Sequence, residues 1–388
     1  MSLDRFTPAR LLAAVMTALV LGGCAAGSRG TDQAAEVSTT AQSILPAERK
    51  DIAKGIYELA YSAKQDAVFV AVSGGFSKVP GKPMVARLNP QTLEVEKEIP
   101  LRRQAFGVAL DDAKNRLYVG NTVDLSVTVV DTQHNRVVRT IQLMGKKKSA
   151  NGRPAYTHDL RELVVDSANN RLYVTGHSEQ GSVLFVVDTR RNRVIKTIPG
   201  LGNAKAPGLV LDAEGGRVFT SNLLGEVVVV DTKTQVVTQR FQTQSDQPMN
   251  IAYDSTTQRL FITDQGLKMI TDYQAKSIEG FKSRHPGNRI LVLNANTGEE
   301  IKSVPVSDGP LALRLDEQRK RLYVTSRAGA QVSVFDSETY ALLHSVNLPP
   351  FPQSIAFDEA RNVLFVTVKA DTSQDGLAED SVARIQLP

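Results

Sequence analysis

The sequence predicts an all-β chain: a seven-bladed β-propeller of four-stranded antiparallel blades, with the last blade closed by the N-terminal strand. Three observations predict it. First, one short pattern recurs seven times, a polar lead residue followed five positions later by a largely apolar tetrad. Asp111 leads Arg116-Leu117-Tyr118-Val119, Asp166 leads Arg171-Leu172-Tyr173-Val174, and Asp212 leads Arg217-Val218-Phe219-Thr220. Asp254, Asp316 and Asp358 lead similar tetrads, and Ser62 leads a weaker one, Ala67-Val68-Phe69-Val70. Strand, polar turn, then a strand of aromatic and β-branched residues is a hairpin signature, and its repetition at a long period marks a radial array. Second, an Asx residue recurs where each third strand should end: Asn89, Asp131, Asp188, Asp231, Asn294 and Asp336. Such side chains bond their own turn backbone and suit hairpin corners. Third, the last unit lacks a fourth strand, while an extra segment at 50–53 precedes the first unit. That segment is expected to complete the last blade and remove the open edges.

In chain order, residues 1–23 read as a secretion signal. Arg5 and Arg10 flank the start, and an apolar run from Leu11 to Leu21 follows. The run is too short to span a bilayer as a mature helix. Leu21-Gly22-Gly23-Cys24 closes it with small residues before a cysteine, so the chain resembles a bacterial lipoprotein there. That resemblance implies lipidation at Cys24, and Ala25 after it favours the outer membrane. The expected location is the periplasmic side of the envelope, with the membrane touched only through the anchor. Cys24 is the one cysteine, so no disulfide or thiol chemistry is expected in the folded part. Residues 24–46 are rich in Ala, Gly, Ser, Thr and Gln and read as a flexible tether. The propeller is expected over 47–388.

Within it the pattern is strand, turn, strand, with no sustained helical period. In the unit around Asp166 the expected strands are 163–165, 172–175, 183–187 and 193–198. The leads stand 42 to 62 residues apart, and the surplus falls in four loops, 73–84, 144–159, 265–288 and 370–380. All four connect either second to third strands or a fourth strand to the next first strand. Both kinds of connection emerge on one face, which makes that face the candidate binding face.

Counting back from each lead locates the mouth of the central channel. Five positions before the leads stand Tyr57, Phe106, Arg161, Pro207, Met249, Leu311 and Gln353. Four before stand Glu58, Gly107, Glu162, Gly208, Asn250, Ala312 and Ser354. Small residues fit a narrow axis, but two glutamates, an arginine and an asparagine do not follow from packing preference. Either they recognise a ligand, or Arg161 pairs with Glu58 or Glu162 and simply satisfies the mouth. Ends of the second strands add Asn121, His177, Asn222, Asp264, Arg327 and Lys369. His177 is a candidate base, ligand or polar rim residue.

The loops of this face are mostly basic, with Lys146, Lys147 and Lys148 in one and Lys78, Lys82, Lys268, Lys276, Lys282 and Arg284 in others. Tyr156, Tyr273, Phe76 and Phe281 are interspersed. Cations that track phosphates beside aromatics that stack bases suit single-stranded nucleic acid, although the same lysines also suit a solvated loop. The last loop is acidic instead, with Asp371, Asp375, Glu379 and Asp380. The formal net charge of +5 permits an anionic partner without requiring one. HExxH, paired Cys/His spacings, GxSxG and a glycine-rich phosphate loop do not occur, so no metal and no cofactor are expected.

The repeat resembles the YVTN repeat, through endings such as Tyr118-Val119-Gly120-Asn121 and Tyr173-Val174-Thr175. Longer stretches are similar to the periplasmic YncE proteins: Lys54-Gly55-Ile56-Tyr57-Glu58-Leu59-Ala60-Tyr61-Ser62, Arg161-Glu162-Leu163-Val164, Phe261-Ile262-Thr263-Asp264 and Asp380-Ser381-Val382-Ala383-Arg384-Ile385. The resemblance implies a seven-bladed exported propeller that binds single-stranded DNA. The chain differs in its lipoprotein cysteine, its longer 265–288 loop and its lack of tryptophan. The leading expectation is a non-catalytic binding protein for an anionic or polar ligand. Its mouth residues would be Tyr57, Glu58, Phe106, Asn121, Arg161, Glu162, His177 and Asn250, with Lys146–Lys148 steering the partner. Similarity to YVTN-type lactone hydrolases and quinone-linked enzymes implies the alternative, chemistry at Glu58, Glu162, Asn250 and His177. A scaffold for envelope proteins is the third reading.

Overall fold

A computed structural model describes residues 43–76, 81–149, 152–371 and 378–388. The signal segment, Cys24, Lys78 and Asp375 lie outside the described residues. Seven four-stranded antiparallel blades stand around an axis. Their innermost strands are Ile56–Ser62, Val108–Asp111, Asp159–Asp166, Leu209–Asp212, Pro248–Asp254, Pro310–Asp316 and Phe351–Asp358, in blades 1 to 7. The core is distributed as seven apolar slabs, one between each pair of neighbouring blades. Strands that bury both faces this way need continuous apolar runs, and second strands such as Ala67–Val72 are buried throughout.

The repeated polar residues build the corners. Each lead side chain accepts the backbone N–H three residues on: Ser62 from Gln65, Asp111 from Lys114, Asp166 from Asn169, Asp212 from Gly215, Asp254 from Thr257, Asp316 from Arg319 and Asp358 from Arg361, all at 2.8–3.2 Å. The next residue takes a left-handed conformation in all seven, at Asp66, Asn115, Asn170, Gly216, Gln258, Lys320 and Asn362. The third-strand Asx residues cap their own turns in the same manner, as Asp188 does for the N–H groups of Arg190 and Arg191. Several tetrad arginines then tie second to third strand, as in Arg116–Asp131 and Arg321–Asp336, both at 3.2 Å.

Closure is as the chain order predicts. Strand β2, Glu48–Ala53, pairs antiparallel with Asp380–Gln386 as the outermost strand of blade 7. One feature was not foreseen. Strand β1, Ser43–Ile44, pairs parallel with the outer strand of blade 6, at His344 and Ser345. Leu45 and Ala47 pack against the slab between blades 6 and 7.

The 265–288 loop is the second departure. It carries a helix, α1, at Lys268–Ser277, where the sequence showed no helical period. The side chain of Gln247 holds its start, accepting from the Leu267 N–H at 2.8 Å and donating to Thr271 Oγ1 at 2.9 Å. Buried Gln274 donates to the carbonyls of Leu223 and Asp246, and Tyr273 Oη donates to Glu179 on blade 3. The helix is thus bolted across the loop-rich face over blades 3 to 5. The other long loop, 144–159, forms a two-stranded hairpin in which Lys147 and Lys148 pair with Ala155 and Pro154.

Candidate functional site

The mouth positions are set apart by backbone geometry. In blades 1, 3, 5, 6 and 7 the inner ladder shifts register at these two residues, for instance between Leu160 and Leu163. A bulge re-aims side chains out of the ladder, so these positions face the axis. A threonine of the second strand fixes several of them and stitches one blade to the next. Thr263 accepts the Asn250 N–H at 3.0 Å and donates to the Leu311 carbonyl at 3.0 Å. Thr325 links Ala312 to Gln353 likewise, and Thr367 links Ser354 to the Tyr57 carbonyl, closing the ring from blade 7 to blade 1.

Glycine lets non-adjacent blades meet. A Cβ on Gly107 of blade 2 would stand 2.6 Å from the Arg161 carbonyl oxygen and 2.9 Å from Leu163 Cδ1. With none present, Arg161 of blade 3 reaches over blade 2 to Glu58 of blade 1, Nη1 to Oε1 at 2.8 Å. Glu58 Oε2 also accepts the Val108 N–H at 2.9 Å. Glu162 stands 3.5 Å from the same guanidinium but makes no hydrogen bond through its buried Oε1. Two buried carboxyls therefore share one cation. Burial and the neighbouring Glu58 charge push Glu162 up to about 8 despite Arg161, so it holds a proton at neutral pH. The pairing of Arg161 with Glu58, the blander of the two readings of these residues, is present.

Around this triad lie aromatic and cationic groups. Tyr57 meets Phe106 edge-on with ring centroids 4.7 Å apart, and Phe76, 66% exposed, stacks on Phe106 at 6.0 Å. The Lys369 ammonium sits 4.2 Å above the Tyr57 ring and binds Asp380 at 2.7 Å. Arg327 lies over Phe351 at 5.4 Å. Burial lowers its affinity for its proton, and the field of Arg161 acts in the same direction.

The second-strand ends separate into two registers, because successive side chains of a strand point to opposite faces. Ten residues after the leads stand Asn121, Asn222, Asp264 and Ser326, all fully buried. Asn121 accepts from Ser126 and Thr128 and donates to the Gln104 carbonyl, so its amide is spent inside blade 2, away from the axis. Eleven after stand His177, Arg327 and Lys369, beside the mouth. Burial holds the His177 imidazole down at about 3, helped by Lys205 and Arg161, so it is neutral, and its Nδ1 has no partner among the described residues. The Asn250 Oδ1 and Gln353 Oε1 atoms are likewise buried without a partner.

The basic loops are not uniform. Lys146, Lys147 and Lys148 are exposed on their hairpin, Lys146 lying 5.1 Å over the Tyr156 ring. Lys268 is paired with Asp272, and the Arg284 guanidinium is tied to the carbonyls of Leu224 and Ser245, so that residue is structural. One channel residue was missed. Two positions before the leads stand Ala60, Ala109, Val164, Val210, Ala252 and Ala356, but blade 6 has Arg314. It is exposed, its side chain makes no hydrogen bond or ion pair among the described residues, and it is still hemmed in enough for burial to lower its pKa. Those properties belong to a channel lining, and comparing registers would have found it. No group of three or more His, Cys, Asp or Glu among the described residues is placed to hold a metal ion.

Comparison with known proteins decides the relationship. The chain is 30% identical over 290 residues to YncE of Salmonella typhimurium, spanning 74% of each protein. The chain belongs to the YncE family. YncE of Escherichia coli K12 is 35% identical over 220 residues, 56% of this chain and 61% of that one. No family model matches. Among solved structures, a chain of Kuenenia stuttgartiensis hydrazine synthase superposes with a TM-score of 0.64 at 16% identity, covering 86% of this chain and 96% of that one. The Cps50 (Swd1) propeller domain of Myceliophteria thermophila gives 0.62 at 9% identity, covering 88% of this chain and all of that domain. At such identities these two show the fold alone. The propeller fold supports a binding or scaffold role.

Proposed function

We propose that the chain is a non-catalytic binding protein of the bacterial envelope, anchored through a lipid at Cys24, that takes an anionic or polar ligand at its channel mouth. One observation carries the reading. Glu162 Oε1, His177 Nδ1, Asn250 Oδ1 and Gln353 Oε1, four buried polar atoms from blades 3, 5 and 7 at or beside the mouth registers, have no hydrogen-bond partner among the described residues. Leaving a buried donor or acceptor unmade costs about 1–3 kcal/mol each, so four of them around one mouth support a reading in which a ligand bonds there.

Single-stranded DNA is the ligand favoured by a second observation. The ladder Phe76–Phe106–Tyr57 opens to solvent at Phe76, and the exposed Lys146–Lys148 hairpin supplies cations on the same face. Stacking surfaces beside phosphate-tracking lysines are what that polymer needs. Titration of a labelled oligonucleotide at two salt concentrations tests this. Binding should weaken with salt, and replacing Lys146, Lys147 and Lys148 together by alanine should lower affinity and flatten the salt slope. Absence of binding, or binding indifferent to salt, sinks the nucleic-acid form of the reading. The anchor is tested by membrane fractionation, where Cys24→Ser should release the protein.

A further inference from the structure

We propose that the mouth contains an oxyanion site centred on Arg327, which takes a carboxylate or phosphate group of a small solute. The proposal rests on the reading of the mouth as a binding site and names the group it holds. Charge accounting among the mouth cations singles out this residue. Arg161 is matched by Glu58, and Lys369 by Asp380. The Arg327 side chain makes neither a hydrogen bond nor an ion pair to any described residue; the Phe351 ring lies beneath it, and the Asp380 charge acts on it only from beyond ion-pair distance. A half-buried guanidinium with five free donors is costly unless a charged acceptor meets it, and its planar fork fits an oxyanion in two-point fashion. The aromatic platform fixes the orientation of the guanidinium in advance, which lowers the ordering cost of binding.

The surroundings suit an anion. Tyr57 feels both Arg327 and Arg161, and burial raises its pKa, so its hydroxyl stays protonated and can donate. The Lys369 ammonium lies against the same ring. Gln353 belongs to the same seam, its carbonyl held by Thr325 two residues before Arg327, and its buried side-chain oxygen has no hydrogen-bond partner among the described residues. An amide with a free end complements the protonated oxygen of a monoanion. Glu162, the mouth carboxyl that Arg161 does not hydrogen-bond, is protonated and does not repel the guest.

Calorimetric titration of the full chain with inorganic phosphate, and separately with acetate, tests this. The wild type should bind at least one, and whichever binds assigns the class. Arg327→Gln should weaken that binding by about tenfold or more, the loss of one charge-assisted two-point contact. Arg327→Lys keeps the charge without the fork and should fall between. Lys302→Gln removes an exposed cation from the outer strand Glu300–Pro305, away from the mouth, and should stay within about twofold, which separates a site from general attraction. Circular dichroism melts confirm folding of each variant. If the wild type binds neither ion, or Arg327→Gln binds as the wild type does, the site is overturned. Oligonucleotide binding is read independently, so the broader reading of the face can survive that failure or fail while this site stands.

Discussion

At Gly107 a missing side chain decides which charges meet. Blades 1 and 3 are not neighbours, yet Arg161 and Glu58 join over the backbone of blade 2 because nothing occupies the space a Cβ would fill. The outcome is one guanidinium between two carboxyls, and the second carboxyl keeps a proton. The sign of the pH dependence follows. Glu162 ionises near 4.5 when unfolded and near 8 when folded, so unfolding between those values releases a proton. Its contribution to stability is complete below about 4.5 and is lost as pH rises through about 8. Glu162→Gln keeps the shape and cannot ionise. Its stability advantage over the wild type should therefore grow from pH 5 to pH 8, reaching on the order of 1–3 kcal/mol, the equivalent of one to two pKa units. Denaturant melts across that range measure it, and a constant difference between the two proteins would exclude a protonated Glu162 in the folded state. The residues of this triad were legible from the count back from the lead residues. Their meeting was not, since it depends on what the intervening blade omits.

Among elements, α1 shows where local sequence stops being informative. Its segment, Lys268 to Ser277, contains Ile270, Thr271 and Tyr273, has a low helical bias, and is preceded by Leu267 with no capping side chain. The cap comes instead from Gln247, twenty positions upstream, and the far end is held by Gln274 buried against blades 4 and 5. Tertiary partners supply what propensity lacks, and no window of sequence contains them. Replacing Gln274 by alanine leaves the Leu223 and Asp246 carbonyls without this donor, a cost of about 1–3 kcal/mol borne by the loop. Hydrogen exchange should quicken in 268–285 while the second strands of blades 4 and 5 keep their protection. Equal loosening of loop and blades would show that α1 is part of the cooperative core. The strands, in contrast, were legible because each carries its own corner: the lead side chain, the left-handed residue after it and the Asx cap lie within a few positions of one another.

For the whole molecule, closure is the governing feature. Blade 7 borrows β2 from the other end of the chain, while β1 only decorates blade 6. Two truncations separate their roles. Removing residues 1–46 deletes β1 and Leu45 but leaves β2, and the melting transition should stay cooperative with a modestly lower midpoint. Removing 1–54 strips the outer edge of Asp380–Gln386 and exposes a pairing-competent strand, so the product should aggregate or lose its single transition in size-exclusion and melting experiments. A monomeric, cooperative product of the longer truncation would show that the seam is dispensable. The closing strand was foreseeable by counting strands at both ends. The strand at Ser43 was not, because two residues paired on an outer edge leave no periodic trace.

The seam also settles how the molecule answers to force. A pull on the N-terminus first meets the two-residue ladder of β1, which parts at little cost. A pull along the strand axis then loads β2 along its length, and in that direction several backbone hydrogen bonds to Asp380–Gln386 resist in shear rather than opening one at a time. The Thr367–Tyr57 link on the inner side of the same junction lies in parallel with that ladder. A leash attached at this end thus ends in a breakaway clip backed by a lock, and slack of a few residues can be paid out without disturbing the ring.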